Sequence, residues 1–154
     1  MNREMRRKDR ELSYDETIEI LKSCSYGILS TVNEEGQPYG VPISYVVLNN
    51  SIYFHCAGEG HKLDNMKKNN KVSFCVVGNT SVVQDKFTTK YESAIVFGKT
   101  EEVFENEKNE ALLEIIKKYS PDFIDKGREY IERAGKATTV IKISIEHASG
   151  KANK

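Results

Sequence analysis

The sequence predicts an α+β fold, mainly β, in which one antiparallel sheet is long enough to curl into a barrel. About six segments have the residue alternation or β-branched content of strands, and most follow one another through hairpin-length turns. Helical patterns occur at the start, in the middle and near the end of the chain, not between all successive strands. This order favours a single antiparallel sheet with peripheral helices.

The chain begins with a basic segment and then a helix. Acidic residues interrupt the cations of this segment, which are Arg3, Arg6, Arg7, Lys8 and Arg10. A solvated arm is the simpler interpretation, and an arm that folds over a site or over a partner subunit is the alternative. Residues 13–16, Ser-Tyr-Asp-Glu, then fit the capping-box pattern, and apolar residues recur at helical spacing, which predicts a helix over 14–24.

Two strands follow this helix. Residues 26–32 and 37–48 are predicted strands, and residues 33–36 form a turn whose final glycine supplies a positive φ. Pro38 and Pro42 lie early in the second strand. Because proline cannot donate to a strand ladder, this strand is expected to be an edge strand or to be bulged there.

The middle of the chain alternates between short elements. After a second turn, residues 52–56 are a predicted strand and residues 61–69 a short helix. Residues 71–77 form another predicted strand, with alternate apolar residues on one face. Residues 79–90 are polar, and an irregular conformation is expected for them.

The last third of the chain contains a long strand, two helices and a final strand. Residues 91–104 predict the long strand, and residues 107–119 predict a helix with an apolar stripe. A further helix is predicted over about 122–133, after a Ser-Pro pair that ends the preceding one. Residues 138–145 alternate as a strand, and the polar tail from residue 149 is expected to be loose.

Composition bounds the class of protein. The chain has 154 residues, no evident internal boundary and 38% hydrophobic residues, so residues 1–150 are predicted to form a single domain. A formal net charge of zero gives no reason to expect nucleic acid or an anionic membrane as a partner. We see neither a signal peptide nor a membrane span in the sequence, and the three cysteines are widely spaced. These features favour a cytoplasmic protein without disulfides.

The most informative stretch is residues 51–66, where a short strand runs into Gly58 and Gly60 and then into His61, Lys62 and a helix. Glycines let the backbone approach a ligand, amide groups at a helix start point outward, and cationic side chains neutralise charge. The arrangement therefore suggests a phosphate site. The glycine patterns of classical dinucleotide and nucleoside triphosphate sites are absent.

Other candidate chemistry is weaker. His55, Cys56 and His61 lack the paired spacing of structural zinc sites, and neighbouring residues of a strand point to opposite faces, so no metal site is predicted. Buried thiols are the simpler interpretation of the cysteines. The stretch 36–45 contains two prolines and two glycines, which could free backbone groups to read a flat polar heterocycle. A plain bulged edge strand is the alternative.

The order of these pieces resembles the pyridoxamine-phosphate-oxidase-like split-barrel flavoproteins, and within them the nitroimidazole-resistance (Nim-type) branch. The stretches that carry the resemblance to the family are Tyr26–Thr31, Gly36–Tyr39, Tyr53–Ala57, Gly60–Lys62 and Lys71–Phe74. Three further stretches look like the Nim-type branch: Met5–Arg10, Lys86–Gly98 and Ile143–Lys151. The resemblance covers nearly the whole chain.

The resemblance implies a six-stranded split barrel and a homodimer with one FMN in each of two clefts at the dimer interface. The strand segment 41–45 would lie along the flavin ring and ribityl chain, and His55 and Cys56 would flank the phosphate tail. His61 and Lys62 match a phosphate-gripping pair, and Ser93 falls near a flavin-contacting position. The implied cofactor residues are thus Val41, Pro42, Ile43, Ser44, Tyr45, His55, Cys56, His61, Lys62 and Ser93.

The sequence also departs from the oxidases. Val41 stands where they carry a phosphate-binding arginine, His61 replaces another arginine, and their C-terminal arginine-rich substrate segment is missing. Vitamin B6 oxidation is therefore less expected than reduction of small planar acceptors such as nitroaromatics, with NAD(P)H as a conceivable donor. Tyr45 and Tyr91 could provide aromatic walls for such an acceptor. The alternatives are a non-catalytic flavin carrier and a haem protein with His55 and His61 as ligands.

Overall fold

The structure, a computed structural model, describes residues 3–154 as one antiparallel sheet with α-helices at its periphery. The strands are β1 (Glu11–Leu12), β2 (Gly27–Val32), β3 (Pro38–Ile43), β4 (Val46–Leu48), β5 (Ser51–Cys56), β6 (Lys71–Val83), β7 (Thr88–Val103) and β8 (Thr139–Asn153). The helices are α1 (Tyr14–Ser23), α2 (His61–Lys68), α3 (Glu105–Tyr119) and α4 (Ile124–Ala134). The predicted α+β class is confirmed, although the sheet has eight strands, not six. Within the described range, no helix is both long and apolar enough to cross a membrane.

The strand order makes the sheet curl back on itself. The order is β3-β2-β6-β7-β8-β5-β4, with β1 added beside β8, so β3 and β4 lie at opposite ends of the path. Only Ser44 and Tyr45 connect these two strands, and two residues span roughly 7 Å. The two ends of the sheet must therefore come close together, which is the geometry of a split barrel. The prediction that the proline-containing strand is an edge is confirmed for β3.

Apolar residues from alternate strand positions fill the inside of the curled sheet, and α1 and α2 pack against this core. Its fully buried members include Leu21, Leu29, Tyr45, Ile52, Phe54, Phe74, Val96 and Ile143. A second cluster lies on the other face of β5 and β8, where α3 contributes Ala111, Leu112 and Ile115. The capping box predicted at Ser13 and Glu16 is present, with the Glu16 amide donating to the Ser13 hydroxyl.

Two segments expected to be irregular are strands. The predicted irregular segment 79–90 instead continues β6 to Val83 and starts β7 at Thr88, past a bulge between Val77 and Thr80. The tail from Ser149, expected to be loose, pairs with β7 as far as Asn153. Both expectations were wrong, for different reasons. Residues 79–82 are exposed on both faces, so they lack the apolar alternation that marks a half-buried strand. The tail does alternate, with Gly150 and Ala152 buried, but these small residues give only a weak apolar signal in the sequence.

The N-terminal arm lies against the sheet, although Arg3, Arg6 and Lys8 within it stay exposed to solvent. Glu11 and Leu12 of β1 pair with Lys151 and Gly150 of β8. Gly150 is needed at this contact, because a Cβ there would clash with the Thr17 hydroxyl of α1. The arm and α1 therefore both approach the C-terminal half of β8 closely.

Lys118 and Tyr119, at the end of α3, fasten the β3–β4 connection. The Lys118 ammonium donates to the carbonyl oxygens of Cys24 (2.8 Å) and Tyr45 (3.0 Å) and lies 4.0 Å from the centre of the Tyr45 ring. The Tyr119 hydroxyl accepts from the Tyr45 amide (2.9 Å) and donates to the Ser25 carbonyl (2.6 Å). One helix end thus holds both the α1–β2 link and the two-residue connection that brings the sheet edges together.

Replacing Lys118 with methionine is expected to lower the free energy of unfolding by about 2–3 kcal/mol, because part-buried carbonyl groups lose a charged donor. Urea denaturation monitored by circular dichroism measures this loss. Lys117→Met is the matched control, since Lys117 pairs with Glu114 at the surface (3.1 Å) and its loss should change stability by less than about 0.5 kcal/mol. Equal effects of the two substitutions would contradict the fastening role of Lys118.

Candidate functional site

The start of α2 is held against the β2–β3 hairpin, and together they form a cradle. The imidazole of His61 stacks on the ring of Tyr39, with ring centres 3.9 Å apart and planes at 23°. Further along α2, the buried Asn65 amide donates to the Thr31 hydroxyl (3.0 Å). We call the region formed by Tyr39, Gly60, His61 and Lys62 the α2 cradle.

The backbone at the start of α2 is suited to an anion. Gly60 is the N-cap residue with φ of 147°, a conformation that favours glycine, and no side chain caps the amides of the first turn. The space that a Cβ of Gly60 would enter is open. Outward-pointing amides at a helix start attract negative charge, and the adjacent Lys62 adds a cation. The cradle therefore has the donor set of a phosphate site.

The predicted ring-binding segment runs along the free edge of β3. Val41 and Ile43 turn towards the core and are half-buried, whereas Pro42 and Ser44 are exposed. Because β3 pairs only with β2 among the described strands, the N–H and C=O groups on its outer edge make no hydrogen bonds to another strand. These groups lie on the strand that carries Tyr39 of the α2 cradle.

Tyr45 is not available as an aromatic wall, so that expectation is corrected. Its ring is fully buried, it meets Phe74 edge-on at 4.8 Å, and its hydroxyl donates to the Leu21 carbonyl. The ring fills the barrel core, and the backbone amide and carbonyl of Tyr45 are already bonded to Tyr119 and Lys118. Tyr91, the other proposed wall, remains half-exposed on the outer face of β7.

His55 and Cys56 point to opposite faces of β5, as predicted from their adjacency. Cys56 packs against the barrel core, whereas His55 pairs with Val140 on the face covered by α3. Burial raises the pKa of the Cys56 thiol more than nearby Lys62 lowers it, so the thiol stays protonated at neutral pH. Partial removal from water lowers the pKa of His55, which favours the neutral imidazole. Across residues 3–154, no group of three or more potential ligands could hold a metal ion.

Ser93 is not brought to the α2 cradle within one chain. Cross-strand partners lead from β3 to β7 through Gly40, Ser30, Ser73 and Phe97, and Gly40 directly follows Tyr39 in β3. Ser93 lies four positions from Phe97 along β7. Phe97 and Ser93 are thus about 13 Å apart along β7. In addition, β7 lies three strand spacings of about 4.8 Å each from β3. Ser93 also lies on the outer face of the sheet, whereas Tyr39 faces inward.

The contact between Tyr39 and His61 was not predicted. The two residues are 22 positions apart, and no local pattern links a tyrosine on an edge strand to a histidine at a helix start. The only sequence signal was that both residues lie in stretches that carried the family resemblance.

The protein is a split barrel, because its antiparallel sheet curls until the two edge strands come close. Beside one edge strand lies α2, whose start at Gly60 and Lys62 has the features of a phosphate site. A family model described as pyridoxamine 5'-phosphate oxidase matches residues 13–152, so the chain belongs to this flavin-binding family. The family predicted from the sequence is confirmed. Comparison with curated proteins finds no match.

Solved structures share this fold over most of the chain. One is a candidate 5-nitroimidazole antibiotic resistance protein from Bacteroides thetaiotaomicron, with a TM-score of 0.79, 24% identity, and coverage of 94% of this chain and 90% of that one. An FAD-binding protein from Mesorhizobium loti has a TM-score of 0.67, 24% identity and coverages of 94% and 98%. An FAD and haem binding protein from Mycobacterium smegmatis has a TM-score of 0.82, 17% identity and coverages of 94% and 74%.

Proposed function

We propose that this protein is an FMN-dependent reductase of small planar acceptors such as nitroaromatics, and that it acts as a homodimer with NAD(P)H as a candidate electron donor. The α2 cradle is the observation that carries the proposal. Its uncapped amides, the open space at Gly60 and the Lys62 ammonium fit the terminal phosphate of FMN. The free edge of β3 from Val41 to Ser44 would line the flavin ring and ribityl chain.

Bound flavin would supply the hydride and electron chemistry, and the chain would supply binding and orientation. Lys62 would neutralise phosphate charge, and the imidazole of His61, fixed against Tyr39, would close one side of the cradle. Backbone groups on the β3 edge would hold the ring in place. The protonated state of Cys56 argues against a thiolate nucleophile, so no covalent step through this residue is part of the proposal.

The homodimer is proposed from the outer face of the sheet. Four uncharged residues are cross-strand neighbours on this face, one from each of β3, β2, β6 and β7: Pro42, Ile28, Cys75 and Ile95. Ile95 is 42% exposed, and its neighbours Val77 and Phe97 are 60% and 43% exposed. An uncharged face on neighbouring strands is typical of a protein interface. In such a dimer, Ser93 of one chain would approach the flavin cleft of the other chain. Ser93 would thus complete a cleft that it does not reach within its own chain.

Two other functions are the alternatives to this proposal. A flavin carrier needs the same cradle and no acceptor site. Haem binding is suggested by the Mycobacterium smegmatis protein. Cys56 faces the side of β5 near Lys62 of the α2 cradle, whereas His55 faces the other side, so His55 does not point to the cradle as a haem ligand. The absorbance spectrum of the purified protein distinguishes flavin from haem.

The activity itself is tested by reducing the FMN-loaded protein without oxygen and mixing it with a nitroimidazole. We expect flavin absorbance to return as the nitro group is reduced. A parallel reaction with pyridoxamine phosphate and oxygen is expected to give no pyridoxal phosphate, because Val41 replaces a phosphate-binding arginine. Pyridoxal phosphate formed at ordinary enzymatic rates would overturn the proposal. Failure to react with any nitro compound would favour the carrier.

A further inference from the structure

A small cavity lies where the link between α1 and β2 faces the bulge of β6. Residues 23–26 of the link, residues 77–79 of the bulge and Glu92 of β7 line it, and its volume is about 310 Å³. Bulges often lie next to binding sites, because they interrupt strand pairing and re-aim side chains. This volume is at the lower end of the range for ligand pockets, so the cavity suits a small ligand.

Glu92 gives the cavity a negative charge that the protein does not neutralise. It is half-buried and is the only charged residue among the described residues that line the cavity. One carboxylate oxygen lies 3.5 Å from the Asn79 amide nitrogen and directly over Gly78, where a Cβ would come within 2.6 Å of it. Within residues 3–154, no lysine, arginine or histidine side chain pairs with Glu92 at 4.0 Å or less. The carboxylate therefore keeps acceptor capacity for a ligand.

Tyr26 gives the same cavity an aromatic wall. A Cβ on the next residue, Gly27, would meet Phe74 in the core, so Tyr26 faces away from the core. Its side chain is 61% exposed, and the exposed Val77 adds apolar surface from the bulge. A carboxylate beside an exposed aromatic ring is suited to a flat ring that carries an N–H donor.

The cavity adjoins the end of the segment proposed to line the flavin ring. Gly27 pairs with Ile43, so Tyr26 and Ser44 lie at the same end of the β2–β3 pair. The end of α3 also bonds to both the α1–β2 link and the β3–β4 connection, which keeps these two links side by side. The α2 cradle is at the other end of β3, where Tyr39 lies. A ligand in the cavity would therefore be near the ring of a bound flavin, away from its phosphate.

We propose that this cavity binds the acceptor, a small planar heteroaromatic ring with an N–H donor. The ring would stack on Tyr26, and its N–H group would donate a charge-assisted hydrogen bond to the Glu92 carboxylate. A nitro group on the ring would point away from Glu92, because the two groups repel each other. The proposal rests on the reductase function for the role of the ligand as acceptor, whereas the binding itself does not depend on that function.

Two probes that differ only at the ring nitrogen test the site: 4-nitroimidazole, which has an N–H group, and 1-methyl-4-nitroimidazole, which does not. Isothermal titration of the full chain as purified is expected to show at least about tenfold tighter binding of the first probe. Glu92→Met should abolish this preference, and Glu92→Gln, which keeps an acceptor oxygen, should retain part of it. Glu102→Met is the matched control, since Glu102 is an exposed carboxylate on the same strand.

Two further variants test the geometry of the site. Gly78→Ala should reduce the preference while leaving Glu92 chemically intact, because the added methyl group displaces the carboxylate. Tyr26→Ala should weaken both probes equally, by about two- to tenfold, and Tyr26→Phe should not. Excess inorganic phosphate, which would occupy the α2 cradle, should not displace either probe. Unchanged melting temperatures would show that the variants fold.

Equal affinity of the wild type for the two probes, or the same preference in wild type and Glu92→Met, would overturn the proposal. Displacement of the probes by phosphate would also overturn it, because it would assign their binding to the α2 cradle. Failure of the reductase function gives a different result. In that case the N–H preference and its loss in Glu92→Met persist, but neither probe reoxidises the reduced flavin.

Discussion

Replacing Ile95 with lysine is expected to convert the proposed dimer to monomers of about 17.5 kDa. Ile95 lies near the middle of the uncharged row on the outer sheet face. Burying an unpaired ammonium costs several kcal/mol, and a two-fold interface contains the substitution twice. The dissociation constant of the dimer should therefore rise by more than about a thousandfold. Light scattering at micromolar concentration measures the mass directly.

Phe104→Lys is the matched control for this substitution. Phe104 is also an exposed apolar residue, 62% exposed, but it lies at the start of α3, away from the proposed interface. We expect this variant to remain a dimer. Flavin affinity should fall in Ile95→Lys and stay unchanged in the control if the second copy completes the cleft. A wild-type mass near 17.5 kDa, or a dimeric Ile95→Lys, would refute the interface.

Replacing Lys62 with alanine is expected to weaken FMN binding by about 1.5–3 kcal/mol, which is roughly 10- to 150-fold in the dissociation constant. The physical reason is the loss of a cation beside the uncapped amides of α2, where the phosphate would sit. Riboflavin lacks this phosphate, so its affinity should change little. Fluorescence titration of both flavins against both proteins measures the four constants.

Lys67→Ala controls for the general loss of charge, because Lys67 lies in the last turn of the same helix. It should leave both flavin affinities within about twofold of the wild type. Equal affinity of the wild type for FMN and riboflavin would rule out the phosphate role of the α2 cradle. An unaffected FMN affinity in Lys62→Ala would remove that lysine from the site while leaving the helix amides as candidates.

Much of the architecture could be predicted from local pattern. The alternation of Val72, Phe74 and Val76 marks a half-buried strand, and the capping box at Ser13 marks the start of α1 within one residue. The glycine, histidine and lysine order at 60–62 likewise predicted the start of α2. These features depend on residues that are close in sequence. Their spacing alone indicates which face of a strand or helix is buried.

The arrangement of the candidate site was only partly predictable. Gly60 and Lys62 were expected in one cradle, but the Tyr39 ring on His61 was not. The Tyr45 ring was expected at the cleft and is instead sealed in the core by Phe74 and Lys118. A tyrosine on a strand has the same local pattern whether its ring points to a ligand or to the core, because both environments are partly apolar.

The sequence by itself determined the fold class, the family and the position of the glycine-started helix, since each depends on short stretches in a fixed order. The tertiary structure alone decided that the tail extends β8 along β7, that β1 pairs with this tail, and that Ser93 lies far from the cradle in the same chain. Strand ladders join residues far apart in sequence through backbone groups that every residue shares. Pairing of this kind leaves little trace in the side-chain pattern.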